Sequence, residues 1–235
     1  MNILAIDTST SFASIAIGVN DQIVAESLVN TNRTLSARLV PEIERLLTSA
    51  DLSITDIDIF ASSTGPGSFT GVRGGVATIQ GLALATGKPC IGFSSLALLA
   101  MNFSLSSTWI CTLLDARKSE VYAALYDCSS PIPSPLIPDC VLPIAAVLEE
   151  ITALIEQPVI FVGDGAVRYH DQIVDQIGTR AVFAPFQLNS HHAANGIMLT
   201  TQAVLRGELL EPRQLLPVYL RASDAEMLKL KAVAV

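Results

Sequence analysis

The sequence predicts an α/β fold of two lobes, each lobe a copy of one βββαβα unit. Three observations carry this expectation. Strand-like apolar runs alternate with runs of helical period. Two of the strands, at residues 2–7 and 109–115, end in an aspartate, Asp7 and Asp115. Two later strands run into glycine turns, Gly65-Pro66-Gly67 and Gly163-Asp164-Gly165, in matching order after those aspartates. Matched order at two places in one chain is the mark of an internal repeat.

Residues 2–7 read as a buried strand, 13–19 as a second and 22–29 as a third, with Asn20-Asp21 supplying hairpin chemistry. Leu35, Leu39, Ile43, Leu46 and Leu47 recur at helical spacing, and Pro41 is expected to kink that helix or to lie near a shifted start. A strand at 57–62, the loop Gly65–Arg73, a helix over 70–86 and a short strand at 90–93 complete the first unit. In the second, 109–115 and 120–126 are strands and the Pro-rich stretch through Pro131, Pro133, Pro135 and Pro138 reads as a link. A helix at 143–156 and a strand at 158–162 lead to Gly163. A helix around 192–206 and an extended segment at 217–221 follow. The lobes divide as residues 1–105 and 106–235, with a return of the final helix onto the first lobe left open.

Half of the 235 residues are apolar, only 15% are charged, and the net charge is −8. Such a chain has surface to cover against a partner, and it lacks the clustered Lys and Arg of an autonomous nucleic-acid binder. The N-terminus has no basic leader, and no apolar run reaches the ~18 residues of a membrane span. Cys90, Cys111, Cys128 and Cys140 show no CxxC spacing and read as reduced thiols of a cytoplasmic protein.

The loop Gly65-Pro66-Gly67-Ser68-Phe69-Thr70-Gly71-Val72-Arg73 stands between a strand and a helix, where backbone N–H groups can cradle an anion. Its spacing misses the dinucleotide fingerprint by one residue, and it has no Lys-Ser/Thr pair of a P-loop. Anion contact by Gly65, Gly67, Ser68, Thr70 and Arg73 stands beside a plain tight turn with a cap. Asp7-Thr8-Ser9 after the first strand can hold a cation or a nucleotide-bound water, but no glycine follows Asp7 to let a backbone approach a phosphate. An Asx-type turn is the other reading. Asp115 with Arg117 and Lys118, and the turn at Gly163 and Gly165, read as the matching set of the second lobe, a carboxylate with a basic clamp; a charged hairpin turn is the other reading of Asp115–Lys118. His170, His191 and His192 lack metal-ligand spacing, so neither a metal nor a cofactor is implied. No GxSxG elbow supports a hydrolase.

Gly71, Gly74, Thr78, Gly81 and Ala85 lie at alternating spacings of three and four along the helix 70–86. Each interior glycine costs ~1 kcal/mol against alanine, so close approach of another backbone is expected in return. An interface with another subunit, shared with Leu39, Ile43 and Leu46 of the preceding helix, stands against packing within the chain.

Taken with Ile3–Thr10, Leu114–Tyr122, Gly163–Gly165 and Pro217-Val218-Tyr219-Leu220-Arg221, the Gly65–Arg73 block resembles the TsaB (YeaZ-type) family of bacterial tRNA threonylcarbamoyladenosine biosynthesis proteins. The resemblance implies a two-lobed actin-like ATPase (ASKHA, ribonuclease H-like) fold. It implies a non-catalytic scaffold or activator subunit, working on ANN-reading tRNAs with its paralogue TsaD and the ATPase TsaE. Such a subunit forms homodimers and docks on TsaD through its N-lobe helices, and tRNA is met through the complex. A vestigial nucleotide site would then comprise Asp7, Thr8, Ser9, Gly65, Gly67, Ser68, Thr70, Arg73, Asp115, Gly163 and Gly165. The family's His-Ser at the head of the first helix appears here as Leu35-Ser36. An autonomous kinase or ATPase of the same fold, using Asp7 and Asp115, is the alternative.

Overall fold

The computed structural model describes residues 1–30 and 35–221. The first lobe contains β1 (Asn2–Asp7), β2 (Phe12–Val19), β3 (Gln22–Asn30), α1 (Leu35–Ser49), β4 (Ile59–Gly65), α2 (Phe69–Thr86) and β5 (Cys90–Ser94). A short helix, α3 (Ser95–Ala100), leads to the second lobe. That lobe contains β6 (Trp109–Arg117), β7 (Glu120–Asp127), β8 (Ser134–Pro143), α4 (Ile144–Leu154), β9 (Val159–Val162), α5 (Asp164–Arg168), α6 (His170–Ile177) and β10 (Ala181–Phe183). The last helix is α7 (Ala193–Leu205).

The two sheets have one topology. Their orders are β3-β2-β1-β4-β5 and β10-β9-β6-β7-β8, which coincide when β6 is laid on β1. In each, the first strand pairs antiparallel with the second and parallel with the fourth. The duplication read from Asp7 and Asp115 is therefore a duplication of the fold.

β1 is apolar on both faces because helices cover both. Leu4 and Ile6 pack with Leu39, Ile43, Val72, Val76 and Ile79, on the side of α1 and α2. Ile3 and Ala5 pack with Ala193 and Ile197 of α7 on the other. Alternation with period two inside a continuous apolar run is what a strand covered on both sides requires. The chain after the second sheet thus returns to the first, and Cys90 and Leu210 exchange backbone hydrogen bonds.

Three expectations need correction. The Pro-rich stretch is not merely a link: residues 134–143 form β8, paired to β7 with two register shifts. It is the edge strand of its sheet, where a missing N–H can face outward. Pro41 sits inside α1, six residues after Leu35, so of the two readings given for it the shifted start is set aside. Leu39, Ile43 and Leu46, expected at a subunit interface, are 2–3% exposed and fill the first lobe's own core. α1 must cover the sheet beside α2, and its apolar stripe is used for that.

Among the described residues no helix is long and apolar enough to cross a membrane.

Candidate functional site

A cleft of about 720 Å³ lies between the lobes. Ser9-Thr10-Ser11, Gly67–Thr70 and Arg73 line one wall, Leu114–Lys118 with Asp164 line the other, and Arg221 stands at the edge. It therefore unites about half of the residues singled out from sequence, while Asp7, Thr8, Gly65, Gly163 and Gly165 are not in its lining.

The first glycine loop is closed against the chain's own backbone. A Cβ on Gly67, whose φ is 155°, would stand 2.4 Å from the carbonyl oxygen of Ser9. One on Gly71 would stand 2.0 Å from that of Thr8. The Ser68 N–H donates to Ser9 O at 2.6 Å, and Thr8 Oγ1 donates to Gly71 O at 2.7 Å. Ser68 also caps α2, its Oγ accepting from the Gly71 N–H at 3.3 Å. The glycines serve the approach of α2 to the loop after β1. The second loop repeats this: a Cβ on Gly163 would meet Leu113 O at 2.2 Å, and the Gly163 N–H donates to Asn189 Oδ1 at 2.7 Å.

Asp7 is fully buried. Its Oδ2 lies 3.0 Å from Nδ1 of His191 and accepts from Ser9 Oγ at 3.1 Å. Its Oδ1 accepts from Ser63 Oγ and, at 3.3 Å, from the Ser9 N–H. Burial pushes the carboxyl up. The His191 charge and the hydrogen bonds from His191, Ser63 and Ser9 outweigh this and hold it below the usual carboxylate range. The Asx-type turn expected from sequence is present. Sequence reasoning missed His191 as its counter-ion, for nothing in a separation of 184 residues signals it.

Asp115 is likewise held by its own lobe. Its Oδ1 accepts from the Arg117 N–H at 2.9 Å and from the Tyr169 hydroxyl at 3.2 Å, and Arg168 pairs with its Oδ2 at 3.2 Å. The turn to β7 passes through Arg117, Lys118 and Ser119, all with φ between 56° and 62°.

The seam on α2 is divided. Gly71 faces Thr8 inside the lobe, Gly74 and Thr78 are half-buried, and Gly81 and Ala85 are exposed. Val72, Val76, Ile79 and Ala83 face the sheet. Gly75, which sequence reading passed over, also leans on Thr8, whose Oγ1 would lie 2.4 Å from its Cβ. Arg73 donates from Nε to the Tyr219 hydroxyl at 2.6 Å, with its guanidinium 3.7 Å from the Phe69 ring centre. Phe69 and Tyr219 stack at 4.7 Å. The extended 217–221 segment is thereby pinned to the first lobe, and Val218 N–H donates to Thr64 O at 2.8 Å. Among the described residues no group of three or more His, Cys, Asp or Glu could hold a metal.

Two copies of one sheet topology around a cleft define an actin-like ATPase-superfamily fold. A ROK hexokinase from Thermus thermophilus shares it, with a TM-score of 0.50 over 86% of this chain and all of that one at 11% identity. The family described as "TsaD: tRNA N6-adenosine threonylcarbamoyltransferase" matches residues 22–229. The "tRNA threonylcarbamoyladenosine biosynthesis protein TsaB" of Bacillus subtilis is 30% identical over 96% of both chains. That of Escherichia coli is 41% identical over 54% of this chain and 55% of its own. The structure of YeaZ from Pseudomonas aeruginosa superposes with a TM-score of 0.80 at 31% identity, covering 93% of this chain and 99% of that one. The chain belongs to this family, in its TsaB, or YeaZ-type, branch.

Proposed function

We propose that the chain serves tRNA threonylcarbamoyladenosine biosynthesis as a non-catalytic scaffold and activator subunit, docking on TsaD and working with TsaE. The observation that carries this reading is the closed state of the groups a catalyst of this fold would use. Asp7 is out of reach of the cleft, with both carboxylate oxygens taken up by His191, Ser63 and Ser9, and the glycine loops are packed on Thr8, Ser9 and Leu113. An autonomous ATPase needs Asp7 in contact with the cleft.

The outer face of α2 supplies the partner surface in this reading. Gly74, Thr78, Gly81 and Ala85 leave it low, with Leu84 beside them 55% exposed. TsaD, or a second copy of this chain, would lay a helix there. A charged, bulky residue at this face (Gly74→Glu or Thr78→Arg) abolishes association while the chain stays folded.

The test is a threonylcarbamoyl transfer assay with TsaD and TsaE, with and without this chain. Transfer should require the chain, and the chain alone should neither transfer threonylcarbamoyl nor turn over ATP. Full modification by TsaD and TsaE in its absence overturns the proposal.

A further inference from the structure

We propose that two copies of this chain meet through the outer side of α7, the two helices lying antiparallel about a two-fold axis between Met198 and Thr201. This goes beyond the subunit reading above and does not depend on it.

α7 lies across the first sheet, and its contacts show which side is left open. Gly196 packs on Phe93 of β5 and Ala5 of β1, and Ile197 packs on Gly18 of β2. A further step around the helix brings Ala194, Met198, Thr201 and Leu205 to the side of β3, the edge strand. At that side the Ala194 N–H donates to Glu26 Oε1 of β3 at 3.2 Å. Met198 is 44% exposed and Leu205 75%. On β3 itself Ile23, the register partner of Gly18, is 48% exposed and Val24 is 44% exposed. Apolar residues gathered on one side of an element mark a contact surface.

Charge and spacing together specify the occupant. None of the thirteen residues of α7 is charged. The chain has a net charge of −8, so two copies repel each other through most of their surface and can approach where no charge stands. The charges at the ends of α7 are engaged within the chain: Glu26 also faces His192 Nδ1 at 3.4 Å, and Arg206 pairs with Glu208 at 2.6 Å.

The stripe Ala194, Met198, Thr201, Leu205 has spacings of four, three and four, which read the same from either end. Two antiparallel copies therefore set Leu205 against Ala194 and Met198 against Thr201. Each pair joins a large side chain to a small one, so the ridges of one helix enter the grooves of the other. A two-fold contact requires this kind of self-complementarity, and a different protein would place no such symmetry on the stripe. Thr201 Oγ1 already donates to Ile197 O at 3.0 Å, so its hydroxyl can be covered without losing a bond. α1 and α2 cover the opposite face of the sheet, and a partner on α2 therefore leaves α7 open to the second copy.

The test is sedimentation equilibrium of the full chain over a range of concentrations. The wild type should follow a monomer–dimer equilibrium. Leu205→Glu and Met198→Glu should each weaken the dimer at least about tenfold, with thermal unfolding unchanged because both side chains are exposed. Thr201→Lys should weaken it likewise. Mixing the Met198→Glu chain with the Thr201→Lys chain should restore a dimer of one copy of each, since the glutamate of one then faces the lysine of the other. That restoration reports the register of the contact, which a loss of folding could not give. A wild type that stays monomeric at every concentration, or a mixture no more dimeric than its components, overturns the proposal. So does a dimer lost in Gly74→Glu and kept in Leu205→Glu, which puts the second copy on α2. Loss of TsaD binding in Leu205→Glu also overturns it, because α7 is then the face for TsaD. A chain that dimerises through α7 but never binds TsaD refutes the subunit reading alone.

Discussion

His191 Nδ1 lies 3.0 Å from Asp7 Oδ2 with both side chains at most 1% exposed, which joins the start of α7 to the end of β1 through a buried contact between an imidazole and a carboxylate. Removing one member of such a pair leaves an uncompensated charge in the interior. His191→Leu should therefore cost about 3–5 kcal/mol in urea denaturation. Asp7→Asn with His191→Leu should cost less than His191→Leu alone, because no charge is then stranded. A double variant weaker than the single one would show that the two residues act through something other than charge.

The same pair sets a pH dependence. The folded carboxyl of Asp7 titrates below its unfolded value of about 3.9. Its stability is complete above that pH and is lost as pH falls through the lower folded value. In His191→Leu only the hydrogen bonds from Ser63 and Ser9 still oppose burial, so the folded pKa rises toward the unfolded one. That variant should lose less stability than the wild type as acid protonates Asp7. Denaturation midpoints across the acid range separate the two slopes.

The glycines of α2 and the turn before it should separate into two classes. Gly67→Ala and Gly71→Ala drive a Cβ into the backbone of Ser9 or Thr8. Each should destabilise by about 1–3 kcal/mol or more, as overpacking does. A Cβ on Gly81 has nothing within 4 Å, so Gly81→Ala should stabilise the isolated chain by roughly 1 kcal/mol. If the outer face of α2 meets a partner helix, Gly81→Ala also weakens association. Thermal unfolding and sizing of the same variant read the two effects.

The cysteines give a third check. Burial raises the Cys90 thiol to about 11 and the Cys128 thiol to about 12, and it lifts Cys111 and Cys140 as well. At pH 8 a thiol of pKa 11 is about one part in a thousand thiolate, the form that reacts. Iodoacetamide should label the native chain slowly, Cys140 first because it alone is partly exposed, and should label all four after unfolding. Rapid labelling of Cys111 in the native chain would contradict the packing of the second lobe.

The repeat was legible because it is written in short, local patterns. Asp7 and Asp115 end apolar strands, and Gly65 and Gly163 end later ones. β8 was hidden because its prolines oppose a central strand and only the sheet order shows it to be an edge. The glycines announced a close approach, but sequence could not say to what. The partner proved to be the backbone of Thr8 and Ser9, reached only when β1 and β4 lie side by side. His191 was invisible for the same reason, since its role depends on α7 returning to the first sheet.

That return ends in a clasp. Within four residues the chain bonds both lobes: Val218 N–H donates to Thr64 O at 2.8 Å, while Arg221 Nη1 donates to Ala116 O at 2.7 Å and meets Glu120 Oε2 at 3.1 Å. The side chain of Arg221 is 16% exposed and that of Glu120 36%, so solvent screens the ion pair and leaves the bond to the carbonyl as the larger part. Arg221→Ala should lower global stability by only about 0.5–1.5 kcal/mol, the worth of one hydrogen bond and a screened pair. Its local effect should be larger. With the second-lobe anchor gone, the Val218 amide should exchange its hydrogen at least about tenfold faster, while Ile6 and Leu113 in the two sheets keep their protection. Glu120→Ala leaves the bond to Ala116 O in place and should move Val218 less. Unchanged exchange at Val218 in Arg221→Ala would mean that Tyr219 and Arg73 hold the segment without help from the second lobe.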